Sequence, residues 1–214
     1  LPAALSTRQA MIIGTAGFTA MLCVQALADQ HITPERGEIL VTGASGGVGS
    51  VAITLLNKLG YRVAAVTGRP EQNGDLLRSL GATRIIERAE LAQPAKPLES
   101  TRWAGAVDTV GSQILAKVLA QTEYDGAVAA CGLAGGMDLP TTVMPFILRN
   151  VKLIGVDSVY CPYEKRVAAW QKVAELLPES YYAAASNEIA LEAVPEAAAQ
   201  IIRGEITGRT LVKL

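Results

Sequence analysis

The residues of this chain whose types and spacing could do chemistry are Gly43-Ala44-Ser45-Gly46-Gly47-Val48-Gly49. Glycines at this density let the backbone turn tightly and bring N–H groups close to an anion that Cβ atoms would hold away. A second group follows at Thr67-Gly68-Arg69: a hydroxyl, an unobstructed N–H and a guanidinium, with no carboxylate beside them. Together they describe a dinucleotide site, with pyrophosphate over the glycine turn and a phosphorylated ribose beside the arginine. An Asp or Glu at the second position would bond ribose hydroxyls and repel a 2′-phosphate. Its absence points to NADPH rather than NADH. One charge-assisted hydrogen bond from Arg69 is worth about 1.5–3 kcal/mol. Arg84, opening the next apolar run, is a further candidate to stack on the adenine or add charge.

Such a site needs a strand to deliver the turn and a helix to follow it. Ile39-Leu40-Val41 is a short apolar run before the glycines, and Ser50 to Leu59 is an apolar helical pattern stopped by Gly60. Further strands are predicted at 61–67, 83–86, 105–111, 126–132 and 151–157, with helices near 75–80, 113–119, 164–177 and 193–203. A last apolar strand spans 210–214. Residues 89–101, with Pro94 and Pro97, read as a loop or short helix. Alternation of this kind predicts a doubly wound parallel six-stranded sheet in order 3-2-1-4-5-6, a Rossmann fold, with its ligand beyond the carboxyl ends of the strands.

Composition fits one large domain: 214 residues, 50% hydrophobic and 18% charged. The net charge of −1 offers nothing to nucleic acid. Cys23, Cys131 and Cys161 are odd in number and far apart, and His31 is the one histidine, so no metal-binding spacing exists. They read as reduced thiols of a cytoplasmic protein. Residues 9–28 carry no charge, a length that could span a bilayer. Gln9, Gly14, Thr15, Gly17, Thr19 and Gln25 dilute the stretch, which reads as a buried helix and not a membrane span.

Several segments resemble one family closely: Met11 to Ala20, Thr42 to Gly49, Trp103 to Gly111, Ala130-Cys131-Gly132-Leu133-Ala134-Gly135-Gly136, and Leu139 to Val151. They look like the bacterial acrylyl-CoA reductases, also described as quinone oxidoreductases, in the zinc-independent branch of the medium-chain dehydrogenase/reductases. The resemblance implies NADPH-dependent reduction of the C=C bond of acryloyl-CoA to give propanoyl-CoA. Enones and quinones are alternative substrates. Carried over by position, Ser45, Gly46, Gly47 and Val48 would hold the pyrophosphate. Thr67, Gly68, Arg69 and Arg84 would hold the adenosine phosphate, and Leu133, Ile147 and Ser158 would lie along the nicotinamide. Zinc-dependent relatives carry a ligand cysteine near Met11, so no metal is expected. A homodimer through the sixth strand is implied as well.

Full-length members of that family open with a β-rich domain of roughly 110 residues, against a usual domain of about 100–150. This chain starts where that domain would end. It therefore divides into an N-terminal helix and linker (1–36), a dinucleotide-binding core (37–160) and C-terminal helices with a strand that would return to a missing catalytic domain (161–214). No residue presents itself as proton donor, since Asp157 and Tyr160 read as structural. The alternative is an NADPH-binding module without catalysis of its own. A short-chain dehydrogenase is excluded, because no tyrosine is followed by lysine four residues later.

Overall fold

A computed structural model describes all residues from Leu1 to Leu214. The uncharged first stretch is helix α1 (Thr7–Asp29). Its start is set by Ser6, whose hydroxyl accepts the Gln9 N–H at 3.1 Å, while the Gln9 side chain accepts the Ser6 N–H at 2.8 Å. This reciprocal cap satisfies donors that a helix start leaves orphaned. There follow β1 (Glu38–Val41), α2 (Gly47–Lys58), β2 (Arg62–Thr67), α3 (Pro70–Ser79), β3 (Arg84–Glu87), α4 (Arg88–Leu91), β4 (Trp103–Asp108) and α5 (Ser112–Gln121). The second half contains β5 (Thr122–Ala130), α6 (Met144–Arg149), β6 (Lys152–Gly155), α7 (Tyr163–Leu176), α8 (Glu179–Ala184), β7 (Ser186–Ala190), α9 (Val194–Ile202) and β8 (Arg209–Lys213).

The main sheet has the order β3-β2-β1-β4-β5-β6, with all neighbours parallel. Its strands read as continuous apolar runs because both faces are covered. Ile39, Val41, Val63, Ala65 and Val107 point into one cluster, shared with α1, α2, α7 and α8. Leu40, Ala64, Val66 and Ala106 alternate to the other face and meet Ile114, Leu115, Val118 and Leu119 of α5. In α2, Val51, Ile53, Leu55 and Leu56 are fully buried, each worth about 1.5–3 kcal/mol. The larger cluster takes residues from all three stretches into which the sequence divides, so α1 and α8 are parts of one core.

Three features depart from the sequence reading. Helix α1 breaks at Gly14, whose φ of +49° and ψ of −157° suit glycine. The notch is filled by Arg209 of β8, whose Nε donates to the Ile12 carbonyl at 2.8 Å. Helices α6 and α8 and strand β7 are additional. Strand β7 pairs in parallel with β8 alone, as a second two-stranded sheet. Its sequence, Ser186-Asn187-Glu188-Ile189-Ala190, is half exposed and carries no apolar run to announce it.

Candidate functional site

Strand β1 ends between β2 and β4, where the chain connections diverge to the two sides of the sheet. The glycine turn starts there, and two backbone bonds place it: Thr42 N–H to Val107 O and Ala44 N–H to Val66 O, each 3.0 Å. Gly43 has φ +58°, and a Cβ there would lie 2.1 Å from Thr109 Oγ1, so only glycine passes this corner. Helix α2 opens with Gly46 as its cap and no side-chain hydrogen bond capping its first turn. The N–H groups of Gly47 and Val48 meet no acceptor in the chain. Uncapped N–H groups at a helix start favour an anion. This turn fits a pyrophosphate.

A cleft of about 470 Å³ runs from Gly43, Ser45 and Gly46 past Thr67, Gly68 and Arg69. Thr67 is buried; its Oγ1 lies 3.5 Å from Ser45 Oγ and accepts the Arg69 N–H at 3.2 Å. Arg69 Nη1 donates to the Glu205 carbonyl (2.5 Å) and Nη2 to the Ile206 carbonyl (3.0 Å). Thr207 Oγ1 in turn donates to Asn73 Oδ1 at 2.9 Å, and the Gly208 N–H to Ser45 O at 2.8 Å. Residues 205–208 are thus strapped across the outer side of the cleft.

Arg84 is displaced from the expected role. It pairs with Ala64, three residues before Thr67, or about 10 Å back along the strand. There it is ion-paired with Glu38 and lies 5.3 Å from the Trp103 ring centroid. A further cation on the cleft, beside Arg69 and Arg203, is Arg88. In the register Thr67 faces Glu87, so Arg88 lies beside Gly68, where a Cβ would meet its Cζ at 2.9 Å. Sequence reading ended the third strand at Ile86 and missed it; the first residue past a strand's carboxyl end was the available signal. Arg209 was missed too. Its Nη1 lies 2.8 Å from where a Cβ on Gly47 would sit, which sets a guanidinium beside the start of α2.

Between β1 and β4, Thr42 Oγ1 donates to Asp108 Oδ1 at 2.7 Å and accepts the Thr109 N–H at 3.0 Å. The Gly111 N–H donates to Asp108 Oδ2 at 2.8 Å. Burial pushes the Asp108 carboxyl above the usual range, opposed by the bonds from Thr42, Gly111 and Val110. This network fixes Thr109 and Val110, which wall the cleft. Cys131, just past β5, donates weakly to Asp108 O; the neighbouring Cys23 thiol holds Cys131 low in pKa, while Cys131 and burial push Cys23 up.

Val48 packs toward the core, so only its N–H faces the turn. The cleft reaches Ala134 and Gly135 but not Leu133, Ile147 or Ser158. Leu133 is exposed in the loop after β5 and Ile147 is exposed on α6. Ser158 lies in the loop after β6, its carbonyl accepting from Arg166 at 2.9 Å. No three His, Cys, Asp or Glu side chains meet where they could hold a metal ion.

Residues 47–178 match the family described as zinc-binding dehydrogenase. The chain is 61% identical over 214 residues to the probable acrylyl-CoA reductase AcuI of Escherichia coli, covering all of this chain and 65% of that protein. Among solved structures, the yhdH oxidoreductase from Salmonella enterica in complex with NADP superposes with a TM-score of 0.97 at 62% identity, covering 100% of this chain and 65% of that one. The Bacillus subtilis protein yhfP with NAD bound superposes with a TM-score of 0.94 at 46% identity, again over 100% and 65%. The chain therefore spans about 65% of the length of the curated relatives it matches.

Proposed function

The chain belongs to the zinc-binding dehydrogenase family, and on that premise we propose that it forms the cofactor-binding part of an NADPH-dependent reductase of enoyl thioesters, converting acryloyl-CoA to propanoyl-CoA. The observation that carries this reading is the end of β2, where Thr67, Gly68, Arg69 and Arg88 meet and β2 itself contributes no carboxylate, the Glu205 that also lines the cleft being ion-paired with Arg203. Gly47 and Val48 would hold the pyrophosphate through their backbone N–H groups, with Ser45 closing the turn and Gly46, whose own N–H donates to Gly43 O at 3.0 Å, letting the phosphate approach without a Cβ. Thr67, Gly68 and Arg88 would take the 2′-phosphate. Arg69 adds charge while its Nη groups hold the 205–207 strap against the site. Leu133, Ile147 and Ser158 would border the nicotinamide, on a side open in this chain. When bound, NADPH supplies the hydride that reduces the double bond.

The reading includes the division into residues 1–36, 37–160 and 161–214 within a larger protein whose catalytic domain covers that open side, in keeping with the 65% of its relatives' length that the chain spans. We place it in the cytoplasm, in keeping with three free cysteines. A homodimer through β6 is part of the reading: β6 is an edge strand, and an unpaired edge invites a second copy. The second reading, a binding module without its own catalysis, rests on the open nicotinamide side.

Titration with NADPH and NADH, followed by cofactor fluorescence, tests the assignment. NADPH should bind at least about tenfold tighter, as one charged hydrogen bond implies. Arg88→Ala should erase most of the difference. Equal affinity for both, as the NAD-bound Bacillus relative makes worth checking, overturns the role of this strand end. Acryloyl-CoA-dependent NADPH oxidation by this chain alone would exclude the second reading.

A further inference from the structure

The end of the sheet remote from the glycine turn carries a second polar cleft, of about 720 Å³, lined by Lys96, Ser100, Arg102, Lys117, Arg149 and Glu99 among others. Its one carboxylate is fully engaged. Glu99 Oε1 accepts from Lys117 Nζ at 2.8 Å and from the Lys96 N–H at 3.1 Å, and Oε2 from Gln121 Nε2 at 2.9 Å. Three cations remain without a counter-charge.

Two of these are guanidinia held in place without being neutralised. Arg149 donates only to main-chain carbonyls, those of Ala120 at 2.9 Å, Thr122 at 3.4 Å and Glu99 at 2.6 Å. Arg102 lies 4.6 Å from the centroid of the buried Trp103 ring, and its guanidinium makes no hydrogen bond or ion pair in the chain. Both are tied to one corner, because the Arg102 N–H donates to Gln121 O at 2.8 Å, between the two carbonyls that Arg149 grips. Trp103 Nε1 donates to Gln121 Oε1 at 3.1 Å, which locks the stacking surface. Arg102 also lines a neighbouring cleft with Arg36, Arg62 and Arg84, where Glu38 and Glu123 supply negative charge and Arg84 is ion-paired with Glu38. Guanidinium forks with open donors match phosphate oxygens, and three cations without a counter-charge along one open cleft suit more than one phosphate.

We propose that this cleft binds a small anion carrying two or more phosphate groups, held by Arg102, Arg149 and Lys96, at a site separate from the dinucleotide cleft.

The test is a nitrogen-15 NMR titration of the chain with inorganic pyrophosphate, against sodium chloride at matched ionic strength. The Trp103 indole N–H should shift saturably with pyrophosphate and not with chloride. Arg102→Ala should weaken that saturation about tenfold or more, and Lys96→Ala several-fold, with the Trp170 indole signal reporting an intact fold. Pyrophosphate entering the glycine turn would be read separately, at the Gly46 and Gly47 amides. Shifts confined to those glycines overturn the proposal. So does a Trp103 shift that chloride reproduces, or one that survives both substitutions unchanged.

Discussion

Replacing Gly49 by alanine separates two physical effects of opposite sign. Gly49 lies in the first turn of α2, and helix propensity alone favours alanine there by about 1 kcal/mol. The structure argues otherwise. A Cβ at Gly49 would lie 2.4 Å from Gly43 O, 2.7 Å from Ala44 Cα and 2.9 Å from Ala44 O. These are main-chain atoms of the glycine turn, held by bonds to β2 and β4, so no side chain can swing aside. Overpacking of this kind costs about 1–3 kcal/mol. With rigid backbone on the receiving side the upper end applies, leaving a net loss of about 2 kcal/mol. For a chain of this size that lowers Tm by roughly 4–8 °C. Circular dichroism melts of Gly49→Ala and Gly155→Ala make the comparison, since a Cβ at Gly155 meets nothing within 4 Å. Gly155→Ala should be neutral or slightly stabilising. An unchanged or raised Tm for Gly49→Ala refutes the claim that α2 is packed against the turn through a missing Cβ.

Three further outcomes are expected. Burial pushes the Tyr181 hydroxyl up to about 12, so the unfolded chain ionises first, and stability should fall by about 1.4 kcal/mol per pH unit between pH 10 and 12. Urea unfolding at pH 9.5 and 11 reads this slope, which Tyr181→Phe should reduce but not abolish, since burial also raises Tyr61 and Tyr182. Lys117→Met strands the Glu99 carboxylate, whose side chain is only 14% exposed, and should cost about 3 kcal/mol at pH 7. Burial raises Glu99, but the bonds from Lys117, Gln121 and the Lys96 N–H outweigh it and hold the carboxyl below its ordinary range. The penalty should therefore shrink in melts taken at more acidic pH, where the carboxyl is protonated in either state. Finally, Cys131 should be alkylated by iodoacetamide well before the buried Cys23, as peptide mapping by mass spectrometry would show; equal rates would contradict the pairing of the two thiols.

The parts of the site that lie in one local segment were readable from residue types. A glycine turn between an apolar run and an apolar helix has few other uses, and the sheet order follows from the alternation of strands with helices, the strands apolar on both faces marking the sheet as parallel and covered. What escaped was set by register. Arg84 and Arg88 both flank the same short strand, and only the pairing of Thr67 with Glu87 puts one beside the cleft and the other at the far end. The 205–208 strap escaped for a different reason: it is held by carbonyls and N–H groups, which every residue owns, so nothing in its side chains declares where it goes. Arg209 filling the notch at Gly14 joins residues nearly two hundred positions apart, beyond the reach of any local pattern.

The Thr42–Asp108 bond has a consequence for the order in which the molecule comes together. It links positions 66 residues apart, across strands that have no direct connection. Local helices and βα units can form early, but this closure carries the loop-entropy cost of everything between β1 and β4. The turn is then clamped and the walls of the cleft are aligned in the same late step. During refolding, the ability to hold a dinucleotide should appear only with the final slow phase, well after most helical signal has returned.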